Sequence, residues 1–180
     1  MRVIAGKFKG FNLTPPKSEK TRPTTDVVKE AVFCKIAGDI VDAEVLDLFS
    51  GTGSLGIEAL SRGAKFADFV DHNIKGVMLT KKNLMHVYKN EQATNFQVYK
   101  CDCKVYLKNC EKCYDIIFLD PPYESDLYES CLQLIFDRNL LKDEGIIVCE
   151  HNSDFKFNNF EKYVYSRKKY GNTSISYISF

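Results

Sequence analysis

The 180-residue sequence has almost no net charge, +1 from 25 Lys and Arg against 24 Asp and Glu, and it is sparing with turn formers, ten Gly and five Pro. That scarcity excludes collagen-like and low-complexity chains, and a content of 44% hydrophobic and 27% charged residues is the balance of a folded globular protein. No apolar run approaches the roughly 18 residues that a membrane-crossing helix needs. The longest strongly apolar stretch is only Tyr114 to Leu119. The opening Met1-Arg-Val-Ile-Ala-Gly-Lys lacks the apolar core and small-residue cleavage site of a secretory signal, so the chain reads as cytoplasmic with no membrane partner. Internal repeats and linkers are also missing, and the length, at about 100–200 residues per domain, predicts a single core.

Cysteine is the exception, at seven residues. In a cytoplasmic chain thiols are reduced, metal-bound or nucleophilic rather than a disulfide frame. Cys101-x-Cys103 and Cys110-x-x-Cys113 could in principle hold zinc. Cys101 and Cys103 flank Asp102 at a strand end and point in opposing directions, so free thiols are expected and no metal is assigned. His72, His86 and His151 show no ligand or nucleophile spacing.

The near-zero charge conceals an asymmetry. Residues 1–35 carry eight basic against three acidic residues and residues 161–180 carry four against one, which leaves the middle at −7. Basic ends on an acidic body suit contact with phosphates, although scattered solubilising lysines would give the same count.

Along the chain, residues 2–13 read as a basic hairpin broken by Gly6 and Gly10, with Lys7 and Lys9 on one side. A helix capped by Thr25 presents Val27, Val28, Ala31, Val32 and Ile36. Strands are then predicted at Val45–Phe49, Phe66–Val70, Phe96–Lys100, Tyr114–Leu119 and Ile146–Cys149. Between them fall helices at Ser54–Arg62, Ile74–Tyr88, Cys103–Lys108 and Leu127–Phe136. The runs Tyr163–Tyr165 and Ser174–Phe180 have no helix between them and read as an antiparallel pair. Strict alternation implies an α/β fold with a mostly parallel sheet, whose ligands bind beyond the carboxyl ends of the strands.

Asp47-Leu-Phe-Ser-Gly51-Thr-Gly53-Ser-Leu-Gly56 places a G-x-G-x-x-G between a strand and a helix, and Asp71 follows Gly51 by twenty residues at the next strand end. Taken alone, this fits a dinucleotide enzyme, with Asp71 on the ribose hydroxyls. Asp47 argues otherwise, because a carboxylate facing the ligand would repel a pyrophosphate and favour a cation. S-adenosylmethionine offers both an ammonium and a sulfonium.

Asp120-Pro121-Pro122-Tyr123 follows the most apolar strand. Consecutive prolines stiffen the backbone and remove two N–H donors, leaving the first carbonyl as an outward acceptor. The tetrapeptide resembles the hallmark of S-adenosylmethionine-dependent methyltransferases that act on exocyclic amines of nucleobases. With RVIAGKFKGFNL, TRPTTDVVKEAVF, DLFSGTGSLGIEALSRGA and KKYGNTSISYI, nearly the whole chain resembles the RsmD family, bacterial enzymes that methylate N2 of a guanine in 16S small-subunit rRNA.

The resemblance implies a Rossmann-like class I methyltransferase sandwich, its seven-stranded sheet mostly parallel with an antiparallel last strand. The expected organisation is an N-terminal basic hairpin over residues 1–24 and a catalytic domain over residues 25–180, acting as a monomer. Its partner would be 16S rRNA or a small-subunit assembly particle. Asp120 and the Pro121 carbonyl would accept the two amine hydrogens, with Pro122 holding the turn and Tyr123 stacking on the base. Asp47, Gly51 and Gly53 would line the methionine end of the cofactor, with Phe49 in the same turn. Asp71 would hold the ribose, Asp102 and Cys103 the adenine, and Arg22, Thr24 and Thr25 the closing segment. Helix capping is an alternative role for Thr24, Thr25 and Asp102. Ser50 and Thr52 stand where family members often carry Ala and Ser. Two other functions fit the same motifs: a DNA or adenine-N6 amino methyltransferase, and a non-catalytic RNA-binding module.

Overall fold

The alternating strand and helix signals resolve into a seven-stranded sheet of order β3-β2-β1-β4-β5-β7-β6. The structure is a computed structural model and describes residues 1–16, 26–89, 93–121 and 127–180. Strands β1 (Glu44–Asp47), β2 (Phe66–Asp71), β3 (Phe96–Lys100), β4 (Tyr114–Leu119) and β5 (Leu141–Asn152) pair in parallel. Strand β7 (Thr173–Ile178) is inserted antiparallel between β5 and the edge strand β6 (Val164–Tyr170). β5 begins five residues earlier than the apolar pattern predicts, because Lys142, Asp143 and Glu144 interrupt the hydrophobic signal without breaking the strand.

Side-chain alternation sorts the core onto two faces. Val45, Phe69, Phe118, Val148 and Tyr177 point to one face, together with Val32, Phe33 and Ile36 of α1 (Asp26–Lys35), Ile57 of α2 (Ser54–Ser61) and Leu84 of α3 (Ile74–Val87). Leu46, Ile117, Leu119 and Ile147 point to the other face, against α4 (Cys103–Asn109) and α5 (Leu127–Asp137). Val27, expected on the apolar face of α1, is instead 70% exposed, and Phe33 fills that face with no exposure. No helix among the described residues is long and apolar enough to cross a membrane.

The N-terminal segment departs most from expectation. A hairpin does form, but as a single antiparallel bridge, Arg2 with Asn12, around a glycine turn. What fixes it is a buried ion pair rather than a strand ladder. Glu58 and Lys29 are both fully buried, with Lys29 Nζ 3.4 Å from Glu58 Oε2. Lys29 also donates to the Arg2 carbonyl at 2.5 Å and to Ser54 Oγ at 3.1 Å. Glu58 accepts the backbone N–H groups of Ile4 and Ala5 and the Arg62 Nε–H. Burial pushes the Lys29 pKa down, against the opposing pull of Glu58. Lys29, counted by sequence among the basic residues of the N-terminal rim, is therefore internal. Lys7 and Lys9 remain exposed.

Breaking one side of a buried pair leaves an uncompensated charge. Glu58→Ala is expected to cost about 3–5 kcal/mol of stability in urea unfolding, and a loss below about 1 kcal/mol would show that the pair does not anchor the segment.

Candidate functional site

Four carboxylates close the same face of four neighbouring strands: Asp71 on β2, Asp47 on β1, Asp120 just past β4, and Glu150 on β5. Each lies two residues beyond an apolar residue of that face, respectively Phe69, Val45, Phe118 and Val148. The register sets their depth. Asp47 pairs with Phe69 on one side and Phe118 on the other, so it lies one repeat deeper than Asp71 and Asp120. Leu119 pairs with Cys149, and the next step along that ladder sets Asp120 beside Glu150. The row spans the point where strand order reverses around β1, the crevice in which open α/β sheets bind ligands.

Burial dominates the electrostatics. Asp47 is 3% exposed, and desolvation raises its pKa to about 7 despite the hydrogen bond it accepts from the Gly56 N–H at 3.0 Å, with Asp71 adding a smaller push upward. Asp120 is raised well above the ordinary carboxylate range by burial first, then by Glu150 and by Asp47. Negative charges this close and this poorly hydrated resist ionising together. A cation placed among them would relieve both costs.

The glycine turn between β1 and α2 is tied down from several sides. The Ser50 N–H donates to the Val70 carbonyl at 3.0 Å, Thr80 Oγ1 donates to the Gly51 carbonyl at 3.1 Å, and Asn83 Nδ2 donates to the Thr52 carbonyl at 2.9 Å. Asn83 Oδ1 also accepts the Thr14 N–H at 2.8 Å, joining the N-terminal segment to the same turn. Gly51 and Gly53 both have positive φ, and a Cβ on Gly51 would meet only the Phe49 carbonyl at 3.8 Å, which leaves the turn open towards the strand ends. Phe49 is half-buried, its ring packed against the α4–α5 core.

Asp71 accepts the Gly51 N–H at 2.9 Å on Oδ2 and the Asn73 N–H at 2.7 Å on Oδ1. Each oxygen keeps a lone pair for a hydroxyl. Gly76 on α3 lets that carboxylate lie close, since a Cβ there would come within 2.3 Å of Asp71 Oδ2 and displace it. Asp102 is exposed and caps α4, accepting the N–H groups of Lys104 and Val105. The Cys103 side chain turns into the core, 3.8 Å from Cys131 Sγ, so only its backbone faces the strand ends. The thiols expected to be free are dispersed rather than gathered. Cys110 lies 3.6 Å from the Tyr114 hydroxyl, while Cys113 donates to the Asn139 carbonyl. Arg22, Thr24 and Thr25 lie outside the described residues, as do Pro122 and Tyr123.

The sequence reading missed Glu150, Thr80 and Asn83. Glu150 carried a signal, since Ile146-x-Val148-x-Glu150 repeats the spacing of Ile116-x-Phe118-x-Asp120. Thr80 and Asn83 carried none, being polar residues on a helix whose buried face is visible only once it is packed.

The donor set fits a ligand with a cationic end and a diol, as S-adenosylmethionine has: buried acids for the positive groups, open space at Gly51, and Asp71 lone pairs for two hydroxyls. A family model described as conserved hypothetical protein 95 matches residues 1–179. The Bacillus subtilis protein YlbH is 41% identical over 157 residues, covering 86% of this chain and 84% of that one. Ribosomal RNA small subunit methyltransferase D of Escherichia coli K12 is 37% identical over 150 residues, covering 83% and 74%. The solved structure of the Escherichia coli protein yhhF superposes with a TM-score of 0.87 at 31% identity, covering 98% of this chain and 96% of that one.

Ionising Asp47 inside the fold costs roughly 4 kcal/mol relative to the unfolded chain. The folded state holds that proton up to a pH of about 7, so the contribution of Asp47 to stability falls as pH rises from about 4 to 7. Asp47→Asn keeps an acceptor for the Gly56 N–H and should become increasingly more stable than the parent across that window in urea unfolding. Parallel pH profiles for the two proteins would contradict the assignment.

Proposed function

The chain belongs to the conserved hypothetical protein 95 family, the RsmD family of ribosomal RNA methyltransferases, and from that premise we propose that it methylates the exocyclic N2 of a guanine in 16S small-subunit rRNA with S-adenosylmethionine as donor. The observation that carries the reading is the place of Asp120 and Pro121 just past β4, on the strand next to Asp47 and the β1 end from which the glycine turn leaves: an acceptor pair that would suit an amine at the mouth of an acidic cofactor crevice.

S-adenosylmethionine supplies an electrophilic methyl group bonded to a sulfonium. Asp47 and the Gly51–Gly53 turn would hold the methionine end, with Phe49 supporting the turn. Asp71 would hold the ribose. The Cys103 backbone would face the adenine, with Asp102 fixing that turn as the α4 cap. Arg22, Thr24 and Thr25 are proposed to close over the cofactor, and Pro122 and Tyr123 to complete the base pocket.

The amine of guanine is a poor nucleophile because its lone pair is delocalised into the ring. Asp120 and the Pro121 carbonyl would take its two hydrogens, turning the nitrogen towards tetrahedral geometry with the lone pair aimed along the bond to be broken. Asp120, adjacent to the amine, would accept the proton that the nitrogen releases on methylation. Alignment and charge placement supply the rate more than a strong base does. Such a base must leave its stack, at a cost of a few kcal/mol, and stacking on Tyr123 at roughly 1–3 kcal/mol would offset part of it. The exposed Lys7 and Lys9 and the exposed lysines of β6, Lys168 and Lys169, are the proposed phosphate contacts.

Incubated with small-subunit RNA or partly assembled particles and labelled cofactor, the protein should yield N2-methylguanosine on nuclease digestion. Asp120→Ala should lower the rate by about 10²–10³-fold or more, with cofactor affinity within a few-fold of the parent. Label appearing as N6-methyladenosine, or an active Asp120→Ala, would overturn the reading.

A further inference from the structure

We infer that Glu150 reads the target base: its carboxylate accepts the N1–H of guanine beside the reacting amine and so selects guanine against adenine and cytosine. This deepens the methyl-transfer reading above and rests on it. Asp120 follows Leu119 at the end of β4, Glu150 follows its ladder partner Cys149 on β5, and Glu150 is close enough to act electrostatically on the Asp120 carboxyl. In guanine the N2 amine and the N1–H are adjacent donors on one edge. A base whose amine is held by Asp120 and Pro121 therefore directs its next donor to one side of Asp120. On the β5 side of Asp120, away from the β1 turn, stands Glu150, 7% exposed and one methylene longer than Asp120.

The backbone beneath Glu150 is firmly held. Its carbonyl accepts the Tyr128 hydroxyl at 2.6 Å, and both neighbours of residue 150 pair with β7. The next residue, His151, is fully buried, with Nδ1 2.7 Å from the Asn152 carbonyl and Nε2 2.7 Å from Ser176 Oγ, which in turn accepts the Arg167 Nε–H at 2.8 Å. A specificity group on so rigid a support keeps its aim. Glu150 is also felt at the amine site, being the first influence after burial on the Asp120 carboxyl.

The chemistry discriminates by sign. A carboxylate only accepts hydrogen bonds. Guanine presents N1–H to it, whereas adenine at N1 and cytosine at N3 present a lone pair, and a site built to pair with a donor rejects an analogue lacking it by about 10⁴–10⁵ at best. Glu150, rather than the Asp-Pro-Pro-Tyr turn, would then set the choice of base.

The test uses small-subunit RNA ligated from synthetic fragments, with guanine or 2-aminopurine at the nucleotide that the protein methylates. 2-Aminopurine keeps the reacting amine but carries a lone pair at N1. The parent protein should prefer guanine by at least about 10²-fold. Glu150→Gln, whose amide can accept from N1–H or, turned over, donate to that lone pair, should abolish the preference. Cofactor binding by the variant reports that it is folded. Should the variant fail that control, the preference of the parent protein alone decides. Equal methylation of the two RNAs by the parent protein, or an unchanged preference in a folded Glu150→Gln, overturns the role of Glu150 while leaving the methyltransferase reading intact. No N2-methylguanosine from the guanine RNA would overturn both.

Discussion

Four carboxylates on one face of four adjacent strands set the terms for the rest of this molecule. Ordinary strands end in polar turns that water can reach. Here Asp47 is walled in by the sheet on either side and by the start of α2 above, so its charge has no solvent to spread into. Asp120 is desolvated beside two further acids. A fold that carries such a row does so at a cost in stability, and the cost becomes useful when a positively charged ligand enters. The row also explains why the glycine turn does not belong to a pyrophosphate binder, although its spacing allows one: the anion would meet Asp47 and Asp71 before it met the helix N-terminus.

The remainder of the structure keeps that row in place. Thr80 and Asn83 on α3 hold the glycine turn, and Gly76 lets the Asp71 carboxylate lie against the start of the same helix. Below α2, the Lys29–Glu58 pair fastens residues 2–5 to the helix that follows the turn. The N-terminal segment thereby belongs to the same packed body as the crevice, and Asn83 contacts Thr14 and the turn at once. On the far side, the His151–Ser176–Arg167 chain fixes the end of β5 where it outruns β4. Polar residues away from the row thus set the positions of the acids within it.

Much of this was legible in the sequence, for identifiable reasons. Strands β2, β3 and β4 and helices α2–α5 announce themselves through apolar period and capping, and Asp47, Asp71 and Asp120 through their place at strand ends beside Gly and Pro. The features that escaped share a different property: their meaning depends on a partner distant in sequence. Lys29 looks like any helical lysine until Glu58, twenty-nine residues on, is packed against it. Cys103 follows a motif aspartate, yet its thiol belongs to the α4–α5 contact with Cys131. Glu150 lacks a neighbouring glycine or proline to mark it, and only the register of β5 against β4 sets it beside Asp120. The charge asymmetry was real but overcounted, because composition cannot distinguish a rim lysine from a buried one.

The claim that the acid row awaits a cation can be measured without turnover. Calorimetric titration of S-adenosylmethionine at pH 6, in two buffers of different ionisation enthalpy, counts the protons exchanged on binding. At that pH the ligand's amine, with an ordinary pKa of about 7.7–8.0, is already protonated, while Asp47, with its pKa at about 7, still holds its proton. Net release of a large fraction of a proton to the buffer is the predicted result. Binding with no proton exchange, or with uptake, would contradict it.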